Sequence, residues 1–422
     1  MERPVSRRHA LTLLAGSTAI GLAGCLGDDE DDTGDGVDAG EDGPTDTDDA
    51  GGTSGDDDVE DGTMGDDDSE ESPGSSGLLY AFAPGRIALI DPAEGEVVAD
   101  IDDVSGRDWG DARLTHDHSQ LFVVDSALGQ VAVIDTASRE LREWVDVGGG
   151  PVHAYHPVDD EMWVHSDSEG AFYVVDTEML DVVEIVDSGL ENEGHGKLVH
   201  HENLSPKAYA TNTNDPAALV IDLENYERTD VIEVGEVGGT HYAAYAPEAN
   251  RLYYEWFGGE MPIIDPETNE VVDSLDFVGG LALSPDETVL GVWNDDSVRF
   301  IDATNSEPDV LGSVELDDRG PDDIEYVEVE DTLYGFVANT TAGDVSVIDV
   351  DALDIVEHIP AGSIDTEGDI VHRAGDSGDG MYFTSADAAG TVAVIDTEAM
   401  ELRHEVEVAT GVDTVRYIPE TT

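Results

Sequence analysis

Eight times the chain repeats a short apolar run closing on Ile-Asp or Val-Asp, from IALID at Asp91 through VAVID at Asp135 and FYVVD at Asp176. The later members end at Asp222, Asp265, Asp302, Asp349 and Asp396, so that successive aspartates lie 37 to 47 residues apart. Around each run the order recurs: a Gly-rich lead, an apolar strand, a turn often holding Pro or Asp, and then LFVVD-like, VAVID-like and ELREW-like strands. Repeats of roughly 40–50 residues rich in short strands signify propeller blades, and four short strands make one blade. The strands run apolar or alternate because both faces of a blade pack on neighbouring blades.

The pattern predicts an all-β fold, a single β-propeller over residues 77–422 with eight blades, or seven if one unit is irregular. The short spacing before Asp302 is where irregularity is expected. The first unit starts at its second strand, LLYAFA, and the C-terminal GVDTVRYIP supplies the missing inner strand. Pairing of the N- and C-terminal strands then closes the ring and leaves no open edge. The repeated Asp reads as structural: in DPAEGE, DTASRE and DPETNE it caps the turn into the outer strand by side-chain to backbone bonding.

The apolar pattern changes at the N-terminus. Ser6-Arg7-Arg8-His9-Ala10-Leu11 precedes LTLLAGSTAIGLAG, which ends at Leu22-Ala23-Gly24-Cys25. Residues 1–24 read as a twin-arginine lipoprotein signal, and Cys25, the sole cysteine, as the lipid-modified first residue of the mature chain. The run is short and Gly-rich for a transmembrane helix, and with one cysteine no disulfide forms within the chain. Residues 25–76 are Asp, Glu, Gly, Ser and Thr with few apolar side chains, the composition of a disordered, self-repelling tether. The expected location is the cell membrane, lipid-anchored on the extracellular face.

Charge narrows the partners. With 17 Lys+Arg against 99 Asp+Glu the net charge is −82, which disfavours nucleic acid. A surface so acidic and so poor in lysine resembles that of salt-loving archaea, whose medium screens the self-repulsion.

The candidate chemistry lies in the 13 histidines. His116 and His118 fall in LTHDHS, His153 and His156 in GPVHAYHP, His195, His200 and His201 in GHGKLVHH, His241 in GGTHYAAY and His372 in GDIVHRAG. All of these segments map to the lead, inner strand or first turn of a blade, where side chains distant in sequence converge on the propeller axis. Aligned on a turn residue four positions later, His153 and His372 share one register, and His195 and His241 another. Alternation lets both pairs face one side, with His156 opposite and His200 packing or at the surface. His165, His358 and His404 are assigned to packing. The metal ligands expected are therefore His153, His372, His195, His241, His116 and His118, holding zinc, with copper as the alternative. Asp117, Glu193 and Asp369 are the carboxylates near enough in sequence to orient them. Arg107, Asp108, Trp109, Asp111, Arg113, Arg373 and Arg416 are placed to line the funnel, as internal salt bridges or anchors for a carboxylate. GxSxG, Walker, HExxH and CxxCH motifs are all missing from the sequence.

VAVIDTASRELREWVDVGGGP and VSVIDVDALDIVEHIPAG resemble the YVTN family of β-propeller repeats, over roughly residues 77–419. GGGPVHAYHPVDDEMWVHSDSEGAFYVVD is similar to a blade of the AztD-type zinc metallochaperones, with the Pro-Val-His element at Pro151-Val152-His153. That resemblance implies an extracytoplasmic propeller that delivers zinc to the solute-binding protein of a membrane importer. The acidic tether departs from the flexible His-rich segment of that family. The resulting expectation is a metal-delivering propeller that is not an enzyme. A metal-free surface propeller binding a protein or glycan is the alternative, and a redox propeller is the enzymatic one, without the covalent haem motif or a copper-thiolate domain.

Overall fold

The computed structural model describes residues 77–190, 193–366 and 372–419, all within one compact unit. The predicted signal, Cys25, the acidic tether and Asp369 lie outside the described residues.

Every described element is a strand, and the strands form eight four-stranded antiparallel sheets. The second blade shows the plan: Trp109–Leu114, Gln120–Asp125, Gln130–Asp135 and Glu140–Asp146 pair in sequence order. Except between the third and fourth blades, the first strands of successive blades pack on one another around the axis. The fourth strands carry the most exposed side chains, as in Glu270–Leu275.

Eight apolar clusters lie between blades, and strand alternation divides them. Tyr80 and Phe82 of Leu78–Ala83 face Trp109 and Leu121 of the second blade. Leu79 and Ala81 of the same strand face Phe383 and Val394 of the eighth. A one-residue slip would therefore exchange the two faces of a blade, which fixes the register.

Closure is as the sequence predicts. Thr414–Ile418 pairs antiparallel with Leu78–Ala83 as the innermost strand of the first blade, with Tyr80 opposite Arg416. The blade count is eight.

All eight repeated aspartates cap the turn that follows. Each accepts backbone N–H bonds from residues two or three positions on, at 2.7–3.1 Å. These bonds support a left-handed residue four positions after the Asp, such as Arg139 (φ 59°), Leu180 (φ 57°) or Met400 (φ 52°). A bulge marks each of the eight pairings between third and fourth strands.

The irregularity falls elsewhere than expected. The sixth blade, which contains Asp302, has all four strands. The fourth blade is the distorted one, its inner strand reduced to Leu198–Val199. Gly194-His195-Gly196 runs alongside as a loop, held by Thr213 N–H to the His195 carbonyl at 2.8 Å and Lys197 N–H to Thr211 Oγ1 at 2.9 Å.

Candidate metal centre

Three of the predicted histidines meet at one mouth of the axis. His153 sits on the inner strand Pro151–Val158 of the third blade, His195 in the lead of the fourth and His241 on the inner strand Thr240–Ala246 of the fifth. One ligand atom from each lies within 4.8 Å of the other two. His153 Nε2 and His195 Nε2 are 3.0 Å apart, and the His195 and His241 rings are centred 5.1 Å apart. Tetrahedral zinc with bonds of about 2.0–2.1 Å places neighbouring ligand atoms roughly 3.3 Å apart, so small side-chain movements would seat the ion.

Backbone bulges aim these side chains. The pairing of Pro151–Val158 with Glu161–Ser166 skips between Pro151 and Ala154, and that of Thr240–Ala246 skips between Thr240 and Ala243. His153 and His241 therefore leave the regular pleat and turn toward the axis. His195 needs its glycines: Gly194 has φ +137°, and a Cβ on Gly196 would lie 2.4 Å from the Thr211 carbonyl oxygen.

Each imidazole is held from behind by a carboxylate. His153 Nδ1 pairs with Asp111 at 2.9 Å, His195 Nδ1 with Asp167 at 2.7 Å and His241 Nδ1 with Glu255 at 3.2 Å. Donation from Nδ1 leaves the Nε2 lone pairs of His153 and His195 facing each other, the tautomer that metal ligation requires. Asp167 also receives His165 Nδ1 at 2.9 Å, and His165 is locked on its other nitrogen by Ser188 at 2.9 Å. Burial would raise the Asp167 pKa, but the bonds from His165 and His195 outweigh it and hold the carboxyl at about 2. Burial, reinforced by the Lys197 charge, pushes His153 down to about 3 against the pull of Asp111. His153 is thus held as a neutral imidazole beside the Asp111 carboxylate.

The other predicted ligands stand apart. His116 and His118 occupy the turn after Trp109–Leu114, at the far end of the inner strands. A strand rises roughly 3.3 Å per residue, so that end lies well away from the triad. His116 pairs there with Asp159 at 2.9 Å, and its ring lies tilted against that of His156 with centroids 4.0 Å apart. His372 precedes the eighth blade, opposite the fourth in an eight-membered ring, and bonds Asp322 at 3.2 Å. Its shared register with His153 rested on Pro157 and Asp376 as turn residues, and both lie within strands.

The orienting carboxylates also differ from those expected. Asp117 bonds Thr115 and Ser119 in its own turn, and the Glu193 carbonyl receives Asn212 and Asn214. Asp111, Asp167 and Glu255 come from 14 to 42 residues away. A local signal existed only for His165 and Asp167, two residues apart in HSDSEG. Arg107 pairs with Asp125 at 2.6 Å, and Arg373 is spent on the Asn339, Gly362 and Ala361 carbonyls and on Thr384. His358 and His404 bond Ser346 and the Ala93 carbonyl on the outer strands.

No protein-family model and no curated protein matches the chain in sequence. Solved structures match it in shape. Dihydro-heme d1 dehydrogenase NirN, in complex with DHE, superposes with a TM-score of 0.64 at 13% identity, covering 82% of this chain and 76% of its own. AztD from Citrobacter koseri superposes with a TM-score of 0.60 at 13% identity, covering 81% of this chain and 97% of its own, and its apo structure with 0.57 over the same shares. At such identities the likeness establishes the fold alone. It overturns one expectation, that the chain is not an enzyme: a propeller of this build serves a dehydrogenase, so the fold gives no ground for excluding catalysis. The chain is an eight-bladed β-propeller with a three-histidine cluster suited to a metal ion.

Proposed function

We propose that this propeller carries one transition-metal ion, zinc in the first place, on His153, His195 and His241 and passes it to a partner protein. The observation that carries the reading is the convergence of three imidazoles, each with Nδ1 paired to a carboxylate. Three protein ligands leave a fourth zinc position open. In a carrier, that position is where a recipient's ligand begins exchange without prior loss of a protein bond. The resemblance of the third blade to AztD-type zinc metallochaperones supports the same reading. It makes the solute-binding protein of a metal importer the recipient, reached from a lipid anchor on the extracellular face.

Elemental analysis of the exported protein after zinc loading and dialysis in concentrated potassium chloride tests this, because dispersed surface carboxylates hold cations only weakly at high salt. One zinc per chain, lost on His241→Ala, is the expected result. A metal-free protein would sink the carrier reading and leave a propeller that binds a protein or glycan. Preferential retention of copper would replace zinc as the cargo.

A further inference from the structure

The opposite mouth of the axis holds a second concentration of unusual side chains. A cavity of about 430 Å³ opens there, among the turns that end the inner strands. Arg113, Arg416, His116, His118, His156 and His200 all line it, and Asp379 is the one carboxylate among the lining residues. In a chain with 99 Asp+Glu and only 17 Lys+Arg, that is a reversal of the prevailing charge.

The donors there are incompletely used. Arg113 spends Nε on the Ala154 carbonyl at 3.1 Å, and its two terminal nitrogens make no hydrogen bond among the described residues. Arg416 gives Nε to the Ala112 carbonyl at 3.1 Å and reaches Asp376 with Nη1 at 3.4 Å. Burial and the neighbouring Arg416 charge both work against the Arg113 cation. His116 is anchored through Nδ1 to Asp159, which leaves Nε2 for a ligand. His200 makes no hydrogen bond among the described residues, and burial together with Arg113 pushes it down to about 4. His156 is spent on both nitrogens, with the His116 N–H at 3.2 Å and the Asp159 carbonyl at 3.0 Å.

Acids beside the mouth compensate part of this charge: Asp376 above all stabilises the Arg416 cation, and Asp111 and Asp376 both act in favour of the Arg113 cation. Asp376 also receives the Tyr417 N–H at 2.6 Å, and Asp379 receives the Tyr417 hydroxyl. Glu325 accepts from Ser377 at 3.0 Å, and burial with Asp323 and Asp376 pushes it up to about 7.

We propose that this mouth binds a small polycarboxylate, gripped by the guanidiniums of Arg113 and Arg416, with His116 Nε2 as a further donor. Guanidinium forks match carboxylates in bidentate geometry, and two forks call for two carboxylates. The cavity lies further along the inner strands than the metal centre: Arg113 reaches the carbonyl of Ala154, next to His153, whereas His116 lies in the turn beyond Trp109–Leu114.

Calorimetric titration of the full chain with tricarballylate, a tricarboxylate without citrate's chelating hydroxyl, tests the proposal. One molecule per chain is expected to bind at moderate salt. Arg113→Gln should weaken it at least about tenfold, the scale of a lost charge-assisted pair, and His116→Ala several-fold, while His241→Ala leaves it unchanged. His116 is exposed, so its variant remains decisive if Arg113→Gln fails to fold. Absence of binding at millimolar ligand, wild-type affinity in the variants, or sulfate binding as tightly would each overturn the assignment. Zinc retention is read separately and is expected to survive His116→Ala.

Discussion

At the scale of single residues, the metal reading depends on ligands and on the carboxylates that fix their tautomers. Asp167→Asn should weaken zinc binding roughly 10–100-fold, the usual cost of losing an outer partner. His153→Ala, His195→Ala and His241→Ala should each cost more than that, because a ligand bond itself is removed. His372→Ala and His118→Ala should leave affinity unchanged, their side chains lying outside the cluster. Competition with a zinc-sensitive chromophore ranks these variants. An Asp167→Asn protein indistinguishable from wild type would show that His195 is oriented without Asp167.

Single elements set the site through close approach and closure. A Cβ on Gly110 would lie 2.6 Å from the Val152 carbonyl oxygen, so Gly110→Ala must push the inner strands of the second and third blades apart. Asp111 would then move off His153, and both zinc affinity and stability should fall, the latter by about 1–3 kcal/mol. Unfolding with and without zinc separates the two effects, and an unchanged affinity would mean that the Asp111 contact tolerates the shift. Asp413, in the loop before the closing strand, is pushed up to about 7 by burial and by Asp108. Its folded value lies above its ordinary one, so the native state gains from the proton. That stability is full below about pH 4 and drains away as pH rises through 7. Asp413→Asn should therefore stabilise the fold above pH 7, on the order of 2 kcal/mol, and much less at pH 4.5. A pH-independent effect in melting experiments would locate the change elsewhere.

For the whole molecule, closure and charge oppose each other. Removing residues 411–422 strips Leu78–Ala83 of its inner partner and opens the apolar clusters on both sides of the first blade. Melting should drop far more than on removing a similar length of residues 27–76, and equal losses would contradict the shared blade. A net charge of −82 favours expansion until salt screens it. The screening length falls from about 10 Å at 0.1 M to about 3 Å at 1 M. The melting temperature should therefore climb steeply with potassium chloride over that range, and a flat response would show that the acidic groups are not repelling one another.

The sequence by itself determined the architecture, because each blade must satisfy the same local needs. The apolar runs ending at Asp91 through Asp396 mark the third strands, the aspartates cap the same turn eight times, and TVRYIP is the strand the first unit lacks. It also named His153, His195 and His241, but only as three of six candidate ligands with His372, His116 and His118. Only the tertiary structure decided which histidines meet. Bulges at Val152-His153 and His241-Tyr242 shift the facing of side chains that simple alternation predicts, and ring position sets His372 across the axis from His195. The partners Asp111, Asp167 and Glu255 belong to other strands or turns than the ligands they orient, so proximity along the chain favoured Asp117 and Glu193 instead. The physical reason is the same throughout: turn capping and strand alternation act within a few residues, whereas the two axial sites are assembled from side chains that only closure of the ring brings together.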